Sequence, residues 1–246
     1  MKKSRFGRFF GVLTALLWIT AVAIIPLTTG EAEVTEYTVV VDAGHGGTDG
    51  GAVAEDGTIE KDLNLSIALR LQKKLEERGV RVIMTRTEDD DTDGLSGFHK
   101  RKDLEARTKI GNESGAQAYV SIHINASKSY KDQGFQVWYG TGSDKSESLA
   151  TPICNRVRNA EICSRIRAVK KVPNTLYIFR SVTVPSVLIE CGFLSNATDL
   201  YRLKQESFQN ALCDALCDGI LDYLSGIKAE TIPSETKNPS AVNENR

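Results

Sequence analysis

Residues 39–47 read Val39-Val40-Val41-Asp42-Ala43-Gly44-His45-Gly46-Gly47. Three consecutive β-branched residues suit a pleated strand buried on both faces, as in a parallel sheet covered by helices. The strand then breaks into glycine on either side of His45, with Gly50 and Gly51 close behind. Glycine removes side-chain bulk and admits positive φ, so backbone and ligand can both approach the imidazole. A histidine poised for chemistry and a turn histidine without a role are equally good readings of this stretch alone.

Downstream, strand and helix patterns alternate. Glu60 opens a helix that runs to about Arg78, with Ile67, Ala68, Leu71 and Leu75 as its apolar stripe and Gly79 as its stop. Further strands are expected at residues 80–85, 118–124, 134–139, 175–179 and 184–190, the last carrying Pro185 at its start, where a missing donor does least harm. Helices are expected at about 104–112, 146–167 and 207–224, the last burying Phe208, Leu212, Leu216, Ile220 and Leu224. This alternation predicts an α/β sheet covered on both faces. The acidic loop at 88–93 lacks the glycine and distal glutamate of a calcium loop and reads as solvated.

Hydrophobic residues at 41% and charged residues at 26% are those of a chain that buries a core. The start of the chain differs. Lys2, Lys3, Arg5 and Arg8 precede an uncharged apolar run of 19 residues from Phe9 to Leu27, and no acid occurs before Glu31. A basic start followed by an apolar segment is an export signal. The run is longer than the roughly 7–15 residues of a typical signal core and close to the ~20 that span a bilayer. Residues 1–30 therefore read as a signal or membrane anchor, with cleavage left open by Pro26 and the small residues after it, and 31–36 as a linker. The charge asymmetry sends the remainder across the membrane. Without the four basic residues of the leader, 27 of the 31 face 32 acidic ones, a balance of −5. That excludes nucleic acid as a partner, whose binding rests on basic patches. Five cysteines with no CxxC pair argue against a disulfide framework. Residues 226–246 are polar, contain Pro233 and Pro239, and read as a disordered tail.

Of the three histidines, His45, His99 and His123, two fall at or near strand ends, and Glu190 ends the last predicted strand. In open α/β sheets functional groups gather beyond the carboxyl ends of the strands. If those strands are parallel neighbours, His45, His123 and Glu190 converge, and Glu60 lies near the same rim. Two histidines, one carboxylate and a water form a common catalytic zinc arrangement. A second carboxylate is then needed to move the proton of the water. The bland alternatives are a first-turn helix acid for Glu60, favoured by the dipole, and a core histidine for His123. Glu190 is harder to dismiss, because an ionised carboxylate after Val187-Leu188-Ile189 is costly unless paired with a charge or a metal.

Four ordered segments carry a resemblance: Asp42-Ala43-Gly44-His45-Gly46-Gly47, Glu60-Lys61-Asp62, Ser121-Ile122-His123-Ile124-Asn125-Ala126 and Glu190-Cys191-Gly192-Phe193-Leu194-Ser195-Asn196. Together they resemble the amidase_3 family, the zinc-dependent N-acetylmuramoyl-L-alanine amidases of bacterial cell walls. The resemblance implies one zinc ion held by His45, Glu60 and His123, with Glu190 as the catalytic carboxylate. It implies a single domain over residues 37–225, built on a mixed, mostly parallel sheet of about six strands between helices. It places Arg180 near the substrate groove, where a surface ion pair is as good a reading. Ala43 stands where a proline is frequent. The run Phe98-His99-Lys100-Arg101-Lys102 and Val182-Thr183-Val184-Pro185 resemble the sporulation branch, which strips peptides from muramic acid ahead of the muramic-δ-lactam needed for germination. Peptidoglycan is then the substrate, the membrane is reached through the leader, and a regulatory protein that helps load or retain zinc is left open.

Three rivals stand beside this reading. Cys191 could be a nucleophile with His123 as its base, although alternation along a strand lets only one of Glu190 and Cys191 face the crevice. The chain could be a wall-binding protein without catalysis, or a zinc exopeptidase or deacetylase of similar architecture.

Overall fold

The computed structural model describes residues 37–231, apart from Ser96 and Phe98. The leader, the linker and the end of the tail lie outside the described residues. In chain order the elements are β1 (Thr38–Ala43), α1 (Glu60–Glu76), β2 (Arg81–Met84), α2 (Lys100–Glu113), β3 (Ala118–Asn125) and β4 (Gln136–Tyr139). They continue with α3 (Ser146–Asn159), β5 (Lys170–Lys171), α4 (Tyr177–Ser181), β6 (Ser186–Phe193), α5 (Ala197–Leu203) and α6 (Glu206–Thr231). The six strands form one sheet in the order β2-β1-β3-β6-β4-β5. It is mixed and mostly parallel, with β4 antiparallel to β6.

The valine run becomes β1, buried along its whole length between β2 and β3. Its side chains alternate between the two faces of the sheet. Val39 and Val41 join the larger core with Ile67 and Leu71 of α1, Ile153 of α3 and Leu216 of α6. Val40 joins a smaller core with Tyr119, Leu188, and Ile178 and Phe179 of α4. The second face is thinly covered, by α2 and the five-residue α4, and a cleft stays open between them.

Residues 175–179 were expected as a strand, and the structure corrects this. Tyr177–Ser181 form a helical turn, entered by a turn at Pro173 and closed by the Val182 N–H donating to Ile178 O. Ile178 and Phe179 are adjacent in sequence yet pack into the same small core, which the side-to-side alternation of a strand does not allow; short apolar runs are ambiguous in this way. The sixth strand is instead Lys170–Lys171, two exposed lysines paired to Trp138 and Tyr139 at the sheet edge. Charge on an edge strand blocks pairing with other chains, but it carries no apolar pattern to read. Helix α3 stops at Asn159, short of the expected 167, because Glu161 takes a left-handed φ of 52°. Helix α6 runs on to Thr231, past the Gly226 at which the tail reading began.

Leu216 is fully buried where α6 packs on the large core. Leu216→Ala should cost about 2–5 kcal/mol, read as a lower denaturation midpoint with an unchanged slope.

Candidate functional site

The alternation that divides the core also builds the site. On β1 the thin face receives Val40 and then Asp42; on β3 it receives Tyr119, Ser121 and His123; on β6, Leu188 and Glu190. His123 and Glu190 are register partners on adjacent parallel strands. Strand β6 continues to Phe193, so Glu190 reaches the site by facing it from within the strand and not, as expected, from its end.

Asp42 is fully buried, a carboxylate in an apolar strand. It accepts from Arg107 Nη1 at 2.6 Å, from Thr85 Oγ1 at 2.8 Å and from Ser121 Oγ. Burial opposes its ionisation, but Arg107, Ser121 and Thr85 outweigh burial and hold the carboxyl below its usual range. Arg107, 2% exposed, also donates to Ala43 O at 2.8 Å and His45 O at 2.7 Å. Arg86 donates to the same two carbonyls, to Gly44 O, and to Lys61 O and Glu88 O beyond them. Two buried guanidiniums thus satisfy the backbone carbonyls of the glycine loop, where His45 takes a φ of 60° that favours glycine. The acidic loop supports the same turn: Gly47 N donates to Asp89 and Thr48 to Asp91, so these acids do more than meet solvent.

Glu60 is the first residue of α1 and 5% exposed. Its Oε1 lies 3.3 Å from His45 Nε2 and 3.1 Å from His123 Nδ1. The same oxygen accepts from Ile124 N and Asn64 Nδ2, and Oε2 accepts from Ala52 N at 2.9 Å. Burial works against its charge, yet His123 and His45 hold the carboxyl far below the usual range. The two imidazoles meet edge to face, with centroids 4.9 Å apart. Glycine is required twice here. A Cβ on Gly44 would strike the His123 ring, and one on Gly51 would lie 2.6 Å from Glu60 Oε2 and 2.7 Å from His45 Cδ2.

One ligand atom from each of His45, Glu60 and His123 lies within 4.8 Å of the other two, a group able to hold a metal ion. Burial disfavours protonation of His45, but Asp49 and Glu60 outweigh it and raise the pKa to about 9. Burial, reinforced by Glu60 and opposed by His123 and His45, pushes Glu190 up to about 7. Its Oε2 is buried without a hydrogen bond. His45, His123 and Glu190 open into a cleft of about 330 Å³, walled by Leu104, Tyr177, Phe179 and Leu188, with Lys100 among its lining.

The remaining candidates fall elsewhere. Cys191 points to the opposite face from Glu190, packed in the large core, and burial pushes its thiol well up. His99 is exposed at the start of α2. Arg180 is exposed on α4, beside the Tyr177 ring at 5.4 Å, and does not line the cleft. Asp49, Arg86 and Arg107 have no assignment in the sequence reading. The cost argument that singled out Glu190 applies equally to Asp42, and would have asked for a buried cation such as Arg107.

Parallel strands that deliver imidazoles and carboxylates to one cleft define an α/β protein with a candidate metal and acid–base site. Residues 39–222 match the Amidase_3 family, described as N-acetylmuramoyl-L-alanine amidase, and the chain belongs to that family. It is 38% identical over 191 residues to the germination-specific N-acetylmuramoyl-L-alanine amidase of Bacillus subtilis, covering 76% of this chain and 79% of the relative. Among solved structures, the CwlD amidase of Clostridioides difficile in complex with the GerS lipoprotein superposes with a TM-score of 0.72 at 36% identity, over 78% of this chain and 100% of that one. The amidase AmiC2 of Nostoc punctiforme gives 0.66 at 31% identity, over 77% and 97%.

Removing Arg107 leaves the Asp42 charge buried and uncompensated, so Arg107→Leu should cost about 3–5 kcal/mol at neutral pH. Because the folded carboxyl titrates below its unfolded value of about 3.9, the wild-type advantage is full above that pH. It should shrink as the pH falls through the folded pKa. Denaturant titrations at pH 7 and below pH 4 measure both.

Proposed function

We propose that the chain is an exported, zinc-dependent amidase that hydrolyses the amide between N-acetylmuramic acid and L-alanine in peptidoglycan, and that it serves spore cortex maturation. The observation that carries the chemistry is the convergence of His45, Glu60 and His123, with Glu190, its Oε2 free of any hydrogen bond, opposite His123. Two atoms each ~2.0–2.1 Å from one tetrahedral zinc lie about 3.4 Å apart. The 3.3 Å and 3.1 Å separations of the histidine nitrogens from Glu60 Oε1 suit that spacing. Two imidazoles and one carboxylate also leave the fourth position open, as catalytic sites do. His45, Glu60 and His123 would hold the ion. Bound there, zinc supplies Lewis acidity toward the scissile carbonyl and makes water acidic enough to be deprotonated near neutral pH.

Glu190 handles the proton. Its carboxylate takes one from the attacking water and returns it to the L-alanine nitrogen as the C–N bond breaks. Burial that lifts its pKa to about 7 suits a group that must accept and then donate. An Oε2 with no protein partner leaves that oxygen free for the water. Arg180, on the helix whose Tyr177 and Phe179 wall the cleft, is assigned to the outer part of the substrate.

The cortex role is supported by the germination-specific relative of B. subtilis. The complex of the CwlD amidase of Clostridioides difficile with a lipoprotein supports a protein partner here. Residues 37–225 form the catalytic domain in this account, and the leader at 1–30 exports it and serves as anchor or cleaved signal. Among the described residues no helix is long and apolar enough to cross a membrane.

Glu190→Gln should lower turnover on peptidoglycan by about 10²–10⁴-fold while zinc content stays that of the wild type; full activity would remove Glu190 from the mechanism. His45→Ala should lose zinc and activity together, and zinc retained at wild-type stoichiometry would contradict its place in the ligand set. Spores formed without the protein should lack muramic-δ-lactam; a normal lactam content would end the cortex role.

A further inference from the structure

His45 turns its two nitrogens toward two different carboxylates. Nε2 lies 3.3 Å from Glu60 Oε1, and Nδ1 lies 3.0 Å from Asp49 Oδ2. Nδ1 is buried and makes no hydrogen bond of good geometry; Asp49 Oδ2 is close to it but off the ideal line. Asp49 is brought there by a tight turn in which Gly46 and Asp49 exchange both backbone hydrogen bonds, at 2.9 Å each. Its second oxygen, Oδ1, accepts from Gly51 N at 3.1 Å. The carboxylate therefore spends one oxygen on the turn and the other on the imidazole.

A neutral imidazole carries one proton, and a neighbour that can only accept selects the nitrogen that keeps it. Glu60 and Asp49 draw that proton in opposite directions. We propose that Asp49 is a positioning residue that holds the His45 proton on Nδ1 and leaves Nε2 bare toward Glu60 and His123. The proposal rests on the metal-site reading above. A carboxylate behind a ligating histidine both fixes the ring and raises its basicity, and its loss typically weakens metal binding about 10–100-fold.

Asp49→Asn separates this role from simple support of the turn. The amide oxygen can still accept from Gly51 N, but the NH₂ then faces His45 Nδ1. Nδ1 must accept, and the proton moves to Nε2, the nitrogen needed for the ion. In the full chain, zinc affinity is measured by chelator competition beside the melting temperature of the metal-free protein. The expected result is a 10–100-fold loss of zinc affinity with metal-free melting unchanged, and an altered visible spectrum in the cobalt-substituted protein. Asp49→Ala, which loses both contacts, should lower affinity and melting together. Wild-type zinc affinity in Asp49→Asn overturns the assignment alone. So does a metal-free melting loss as large as the affinity loss, which would make Asp49 a turn residue. A wild-type chain with no zinc affinity would instead fail the metal reading, and the role of Asp49 with it.

Discussion

The ion pair between Asp42 and Arg107 lies beneath everything the site does. Both side chains are essentially removed from solvent, 0% and 2% exposed, so neither charge is tolerable without the other. The guanidinium is not spent on the carboxylate alone. It reaches forward to the carbonyls of Ala43 and His45, and Arg86 grips the same backbone from the other side. A loop rich in glycine would otherwise be among the softest parts of the fold. Tied in this way, it can hold a histidine in a left-handed conformation with its ring aimed at a fixed point.

The two faces of the sheet divide the work. One is packed by α1, α3 and α6 over most of the hydrophobic core; the other carries α2 and the short α4 with a cleft between them. The polar residues of β1, β3 and β6 are on the thin face, at every second position. That periodicity sends Glu190 to the cleft and Cys191 to the core, and so chooses between two candidate chemistries at adjacent positions. It also sets the surroundings of Glu190, which lies between Leu188 along the strand, His123 across it and the open cleft, with its Oε2 left without a hydrogen bond.

Much of this was legible in the sequence, for identifiable reasons. Strand β1 and its glycine break stand out because β-branched runs and glycine are strong local signals. His45, Glu60, His123 and Glu190 are each found by residue type and position relative to an element; the fold lines one cleft with His45, His123 and Glu190 and brings Glu60 against the two histidines. Arg86 and Asp49 were not legible, and Arg107 only as the kind of cation that a buried Asp42 requires. An arginine after a strand or inside a basic helix looks like surface charge until tertiary structure buries it, and Asp49 looks like a turn residue. The exposed edge strand Lys170–Lys171 and the short helix Tyr177–Ser181 were missed for the converse reason. Neither has a period of its own, and each is decided by what it packs against.

The account as a whole depends on which bond is cut and whether zinc is needed to cut it. Purified peptidoglycan digested by the protein, with and without a chelator, should be assayed for new amino termini and new reducing sugars. New L-alanine amines without new reducing ends, abolished by the chelator and restored by zinc, are the predicted result. New reducing sugars, amines released regardless of chelation, or cleavage of peptides that carry no muramyl sugar would contradict it.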